Sequence, residues 1–266
     1  MNSKTYVVAW DEVKQNVLDI CDQLSTESLD FLVFDLCTEP INIEHSVVAS
    51  KVRYYGHFYN ALLDFCYTDA DVFIFNAGDP RYQDFAGFTK KVETIFNESD
   101  VWIVAPNFTN DYFNRDGCKI VESRATKDLY LSTQSNGIWV AIKRDLALNL
   151  LDFMNWAVES NKLDFTKMTS GWGIDYVYCC WAIYEGKKIY RDWSVTMEHP
   201  THSSYVGGEE DMEMFIDFFY QYSVEHGISL NKIESILATI KSKAASRKLL
   251  DLKISDVYIN KELKWD

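Results

Sequence analysis

Three short stretches hold residues able to do chemistry. Asn76, Ala77, Gly78 and Asp79 close the apolar run DVFIFN, so an amide, a glycine and a carboxylate stand where a strand should end, and Pro80 fixes the next turn. A carboxylate at such an end can hold a divalent cation, and histidine can complete the shell. His199 and His202, in MEHPTHSSY, follow a later strand-like run. The third stretch is GWGID, residues 171 to 175: its glycines admit a close backbone approach around Trp172, and Asp175 opens a helical pattern with an acid able to accept a proton. Each stretch also has a plain structural use. Asp79 suits a turn cap before Arg81, Asp175 suits the positive end of a helix, and the histidines suit an ordinary loop.

Such residues need elements to position them. TYVVAW (5 to 10) reads as a strand, and DEVKQNVLDICDQL (11 to 24) as a helix with Val13, Val17, Ile20 and Leu24 at helical spacing. LDFLVFDL (29 to 36) is too continuously apolar for a half-exposed strand and suits the centre of a parallel sheet. RYYGHFYNALLDFCYT (53 to 68) predicts a helix with Tyr55, Tyr59, Leu62, Leu63 and Cys66 on one face. DADVFIFN, DFAGFTKKVETIFNE and VWIVAPN then continue as strand, helix and strand. This alternation predicts an α/β fold with a mostly parallel, doubly wound (Rossmann-like) sheet flanked by helices. Beyond about residue 108 the rhythm changes, with a strand at NGIWVAI, a helix from Leu146 to Val158, a helix after GWGID, and a strand ending near His199. From Glu209 onward the chain reads as a helical C-terminal extension.

In doubly wound sheets ligands bind beyond the carboxyl ends of the strands. That rule selects Ala9, Trp10 and Asp11, then Asp35, then Asn76 to Asp79, then Ala105 to Asn107, and finally His199 with His202. No glycine-rich GxGxxG or GxxxxGK[ST] cradle and no GxSxG elbow occurs, so a phosphate bound here needs its charge neutralised by a cation.

With 40 acidic against 26 basic side chains, a net charge of −14 repels nucleic acid and anionic membranes from most of the surface. A basic stretch from Lys232 to Lys264 is the exception. Six cysteines without CxxC or Cys/His metal spacing suit reduced core thiols. Neither a signal-peptide core nor a run of about 20 apolar residues occurs. The expectation is a cytoplasmic protein without a membrane span.

The order of strand and helix, the helix YYGHFYNALLDF, the strand ending in NAGDP, then SNGIWVAIKRD and GWGID, resembles the GT-A class of nucleotide-sugar glycosyltransferases over roughly residues 5 to 205. GWGID is the most specific match. The resemblance implies a donor half at about 1–108 and an acceptor half at about 109–207, with 208–266 as the helical extension. It implies a nucleotide-sugar donor, commonly a UDP-sugar, and a hydroxyl acceptor such as a glycan. Nucleic acid enters only as an acceptor, as a hydroxymethylated base.

By the same resemblance, Ala9, Trp10, Asp11, Asp35, Tyr55, Asn76, Ala77, Gly78 and Asp79 would bind the donor. Trp172, Gly173, Asp175, Asn136 and Gly137 would face the acceptor, and Asp79, His199 and His202 would hold Mn²⁺ or Mg²⁺. Asp175 would be the catalytic base if transfer inverts and would orient the acceptor if it retains. The family's strand-ending motif is Asp-x-Asp, and here Asn76 stands in place of an acid. Two other readings follow from the same features: a nucleotide-sugar-binding module without turnover, and a sugar-1-phosphate nucleotidyltransferase, whose Gly-x-Gly-Thr-Arg type of motif AWDEVKQ does not match.

Overall fold

A computed structural model describes residues 1–48, 54–109, 120–122, 128–135, 137, 139–163, 173–198 and 208–241. The strands are β1 (Ser3–Ala9), β2 (Asp30–Asp35), β3 (Ser46–Val48), β4 (Val72–Asn76), β5 (Val101–Thr109), β6 (Ile120–Glu122), β7 (Leu129–Ser132), β8 (Trp139–Lys143) and β9 (Lys188–Glu198). The helices are α1 (Lys14–Thr26), α2 (Tyr54–Cys66), α3 (Phe85–Ile95), α4 (Arg144–Glu159), α5 (Ile174–Tyr184), α6 (Gly208–Glu225) and α7 (Leu230–Lys241), with a single 3₁₀ turn at Asp11–Val13.

The strands form one sheet in the order β3-β2-β1-β4-β8-β5-β9-β7-β6. β8 and β7 run against the rest, so the sheet is mixed but mostly parallel. Its middle is buried on both faces, which is why β4 reads as an unbroken apolar run. Alternation still sorts its side chains: Val72 and Ile74 join one core with α1 and α3, while Phe73 and Phe75 join the other with α2, α4 and α5. The result is a helix–sheet–helix sandwich.

Local chemistry explains the helix boundaries. α1 buries Val17, Ile20, Cys21 and Leu24, one stripe at helical period. Asp84 caps α3 by accepting the Gly87 N–H at 2.8 Å. α4 begins directly on β8 at Arg144, whose guanidinium donates to the carbonyls of Ala70 and Cys66 at 2.9 and 3.2 Å. It thereby takes up a carbonyl left open at the end of α2.

The structure differs from expectation at several points. β2 is flanked on both sides, but by a three-residue β3 that the sequence pattern did not reveal. The apolar face of α2 is rotated: Phe58, Ala61, Leu62 and Phe65 are buried, whereas Tyr59, Leu63 and Cys66 lie at the margin. The helical extension is no appendage. Phe215, Ile216 and Phe219 of α6 and Ile233, Ile236 and Leu237 of α7 belong to the same core as α4 and α5. The basic stretch beyond Lys241 lies outside the described residues. Of the six cysteines, five are described and all are free thiols, with Cys21 and Cys180 pushed up to about 12 by burial and therefore poorly reactive.

β9 carries an irregularity. It pairs with β5 as far as Asp192 opposite Pro106 and resumes with Thr196 opposite Asn107, leaving Trp193, Ser194 and Val195 unmatched. The fully buried Asp192 carboxylate ties this bulge, accepting the Ser194 N–H at 2.9 Å and its hydroxyl at 2.7 Å, and pairing with Lys91 at 2.6 Å.

Candidate functional site

Strand register brings the expected residues to one edge of the sheet. Ala9 lies opposite Asp35, Val7 opposite Asn76, and Asn76 opposite Trp139 at the start of β8. Beyond β4 the chain turns sharply. Gly78 has φ +86°, and a Cβ there would stand 2.0 Å from the carbonyl oxygen of Val8, so neither the conformation nor the space admits a side chain. From α1, the Asn16 amide donates to the carbonyls of Gly78 at 2.6 Å and Pro80 at 2.9 Å. Asp79, between them, is 8% exposed.

The end of β9 reaches the same turn. Arg81 and Glu198 form an antiparallel bridge, with backbone hydrogen bonds of 2.9 and 3.1 Å. The next residue in sequence is His199; His199 and His202 lie outside the described residues. The ends of β4 and β9 are therefore neighbours although more than a hundred residues separate them.

Asn76 has a different place from the one its position suggested. It is fully buried, and its carboxamide oxygen accepts the Tyr82 hydroxyl. Tyr82 sits edge-on to Phe85 at 4.5 Å, and burial together with the Asp79 charge pushes its phenol well above the ordinary value. Asn76 thus braces the turn from beneath and offers a donor molecule no accessible atom. Asp35 is similar. It is 1% exposed, and its two oxygens accept the N–H groups of Cys37 at 2.9 Å and Ile41 at 2.6 Å, which folds the loop after β2. Asp11 is exposed and receives the Thr38 N–H at 2.8 Å and hydroxyl at 2.7 Å. Ala9 and Ala77 are buried, while Trp10 is partly exposed and packs on the α2/α4 core. Of Tyr55, only the backbone position in the first turn of α2 is described.

The second half of the site stands at the start of α5. This helix directly precedes β9 and packs against it. Asp175 is pushed up to about 6 by desolvation, a shift opposed by hydrogen bonds from the N–H groups of Gly173 and Tyr176, its own N–H, and the Gln134 side chain. The Gly173 N–H reaches its Oδ1 at 3.2 Å. A carboxyl raised in this way is better suited to exchange a proton than an ordinary carboxylate.

Gly173 has φ +119°, and a Cβ there would meet Met212 Cα at 2.8 Å and Phe215 Cβ at 2.9 Å. The close approach at this glycine is made by α6. Gly137, in the turn before β8, is partly exposed; Asn136 and Trp172 lie outside the described residues.

Gln134 was not anticipated. Ser132, Thr133, Gln134 and Ser135 form a buried polar run between β7 and β8, and the Ser135 N–H points to the Cys179 sulfur of α5 at 3.3 Å. Its signal in the sequence is the polarity of STQS between two apolar strands, which by itself reads as an exposed loop.

No protein-family model and no curated protein matches the sequence. The likeness lies in structure, and it defines the class: this is the GT-A fold. A mannosyltransferase from Pyrobaculum calidifontis, solved with GDP-mannose and Mn²⁺, aligns with a TM-score of 0.54 at 10% identity, covering 99% of this chain and 77% of its own. GalNAc-T7, solved with UDP, GalNAc and Mn²⁺, aligns at 0.55 and 11% identity over 97% of this chain and 58% of its own. Staphylococcus aureus TarS aligns at 0.56 and 10% identity, with coverages of 90% and 43%. Among the described residues no helix is long and apolar enough to cross a membrane.

Proposed function

We propose that this protein transfers a sugar from a UDP-sugar to a hydroxyl group of an acceptor. The observation that carries the reading is that, on a GT-A sheet, the end of β9 meets the Asp79 turn through the Arg81–Glu198 bridge, while Asp175 opens the helix that leads into β9. The solved neighbours bound to GDP-mannose or UDP lend it support at the level of class.

On this reading Asp79 serves the donor diphosphate. Among the described residues no three His, Cys, Asp or Glu side chains gather, and on this reading Asp79 supplies a hard oxygen ligand. That fits Mg²⁺ or Mn²⁺, ions commonly held by one or two carboxylates plus substrate phosphates. Asp79, with His199 or His202, would hold the ion, which when bound neutralises the diphosphate charge. Asp11 and Trp10 are the accessible groups at the end of β1 for the nucleoside. Trp172, Gly137 and Asn136 would border the acceptor.

Asp175 is the base. Its carboxylate takes the proton of the acceptor hydroxyl as that oxygen attacks the anomeric carbon and the donor diphosphate departs with the bonding pair. Gln134 and the Gly173 N–H hold the carboxylate in orientation.

Incubation with a panel of UDP-sugars, with Mn²⁺ and with EDTA, tests the class and the donor together. The expected result is UDP release from one donor and a thermal shift with UDP. Release from none, with no thermal shift, would leave a GT-A-shaped protein without this activity. In Asp175→Asn, UDP binding is expected to persist while transfer falls about 10²- to 10⁴-fold.

A further inference from the structure

We infer that Asn16 is the positioning residue for Asp79; the inference rests on the proposed role of that carboxylate. Asn16 lies in the first turn of α1 and belongs to none of the three stretches that carry chemistry. Its single amide NH₂ donates both to Gly78 O at 2.6 Å and to Pro80 O at 2.9 Å, the carbonyls immediately before and after Asp79. One side chain from a helix thus clamps both flanks of one acid.

The rest of the turn leaves Asp79 little other freedom. Gly78 is held at φ +86° against Val8, with Val17 of α1 also against it, and the ring of Pro80 fixes the following φ. Around it, Tyr82 engages Asn76 and lies within the field of the Asp79 charge, and Arg81 engages Glu198. Asn16 is therefore the side chain through which α1 sets the direction of Asp79.

A carboxylate that joins a metal shell must arrive preorganised, and a turn clamped on both flanks of Asp79 supplies that. Asn16 does this without touching ligand. Its amide is suited to the task, since one planar NH₂ carries two donors and can satisfy two carbonyls that lie beyond the sheet ladder. An acid of the same shape would present acceptors to both carbonyls and push the turn away.

The test is Mn²⁺ titration of UDP-saturated protein, followed through the free-Mn²⁺ paramagnetic resonance signal. It is paired with UDP affinity in EDTA and thermal melting, for wild type, Asn16→Ala, Asn16→Asp, Asp79→Ala and the double variant N16A/D79A. Asn16→Ala is expected to weaken Mn²⁺ about ten-fold, the scale of two lost hydrogen bonds. UDP affinity in EDTA should stay within about two-fold, and the double variant should bind Mn²⁺ no more weakly than Asp79→Ala alone.

Wild-type Mn²⁺ affinity in Asn16→Ala, with Asp79→Ala impaired, overturns the assignment while leaving the proposed function intact. An equal loss from Asn16→Ala in wild-type and Asp79→Ala backgrounds also overturns it, because Asn16 would then act by another route. No UDP-dependent Mn²⁺ binding in wild type overturns the role of Asp79 and the assignment with it. Should Asn16→Ala melt too low to assay, Asn16→Asp decides, since it keeps the volume and removes the donors.

Discussion

The two halves of the site solve the same problem with opposite means. At Gly78 and at Gly173 the chain takes a left-handed turn beside an acid, and at each a Cβ would collide with backbone. Gly78 is pressed against β1 and α1, elements formed by the first 26 residues. Gly173 is pressed against α6, nearly forty residues further on. The proposed donor side is thus built against the first strand and helix, whereas the proposed acceptor side is completed by a C-terminal helix.

The comparison can be broken most violently at Gly78. Gly78→Ala combines a positive φ with a 2.0 Å approach to the Val8 carbonyl, so the turn must leave β1. The expected loss is more than about 3 kcal/mol in urea unfolding, with donor and acceptor functions lost together. A smaller, more selective break is expected at Gly173. Its alanine variant meets α6 at 2.8 and 2.9 Å and should cost about 2 kcal/mol, moving α6 while UDP binding survives. Equal loss of UDP affinity in both variants would refute the division of labour.

The smallest effect concerns Asp175 and has a sign that distinguishes it. Its folded value, about 6, lies above the ordinary carboxylate value of 3.8, so its stabilising share is fully present below the latter and is lost as pH rises through the former. Asp175→Asn should therefore be the more stable protein at pH 7, by on the order of 1 kcal/mol once solvent screening of this partly exposed side chain is allowed for. That advantage should vanish near pH 4 in thermal melts. Transfer by the wild type should rise with pH through about 6, as the carboxylate forms.

How much of this was legible in the residues can be read from particular cases. The alternation of apolar runs and helical stripes anticipated β1, β2, β4, β5 and the helices between them, because burial on both faces of a sheet leaves a periodic signature. β3 was invisible because three residues are too few to show a period. The buried face of α2 was misjudged because Tyr and Phe both look apolar, while Tyr59 turns its hydroxyl to Asn155 at the margin, at 2.8 Å. Asn76 reads as a donor-binding residue from its type and place, while its burial against Tyr82 rests on a contact that the sequence pattern does not show. Asn16 and Gln134 could not be seen at all, since their partners are distant in sequence.

The bulge of β9 carries one more consequence, a matter of odd and even. Tyr190 and Met197 are separated by an odd number of steps, yet both face the α1/α3 core. An unbroken strand would put them on opposite sides of the sheet. The three unmatched residues between Asp192 and Thr196 are what reconcile the two, by inverting the phase of the alternation before the chain reaches Glu198. Losing or gaining one residue there would turn over the whole outgoing segment, while losing or gaining two would keep its face. The length of this stretch is therefore constrained by parity before it is constrained by size.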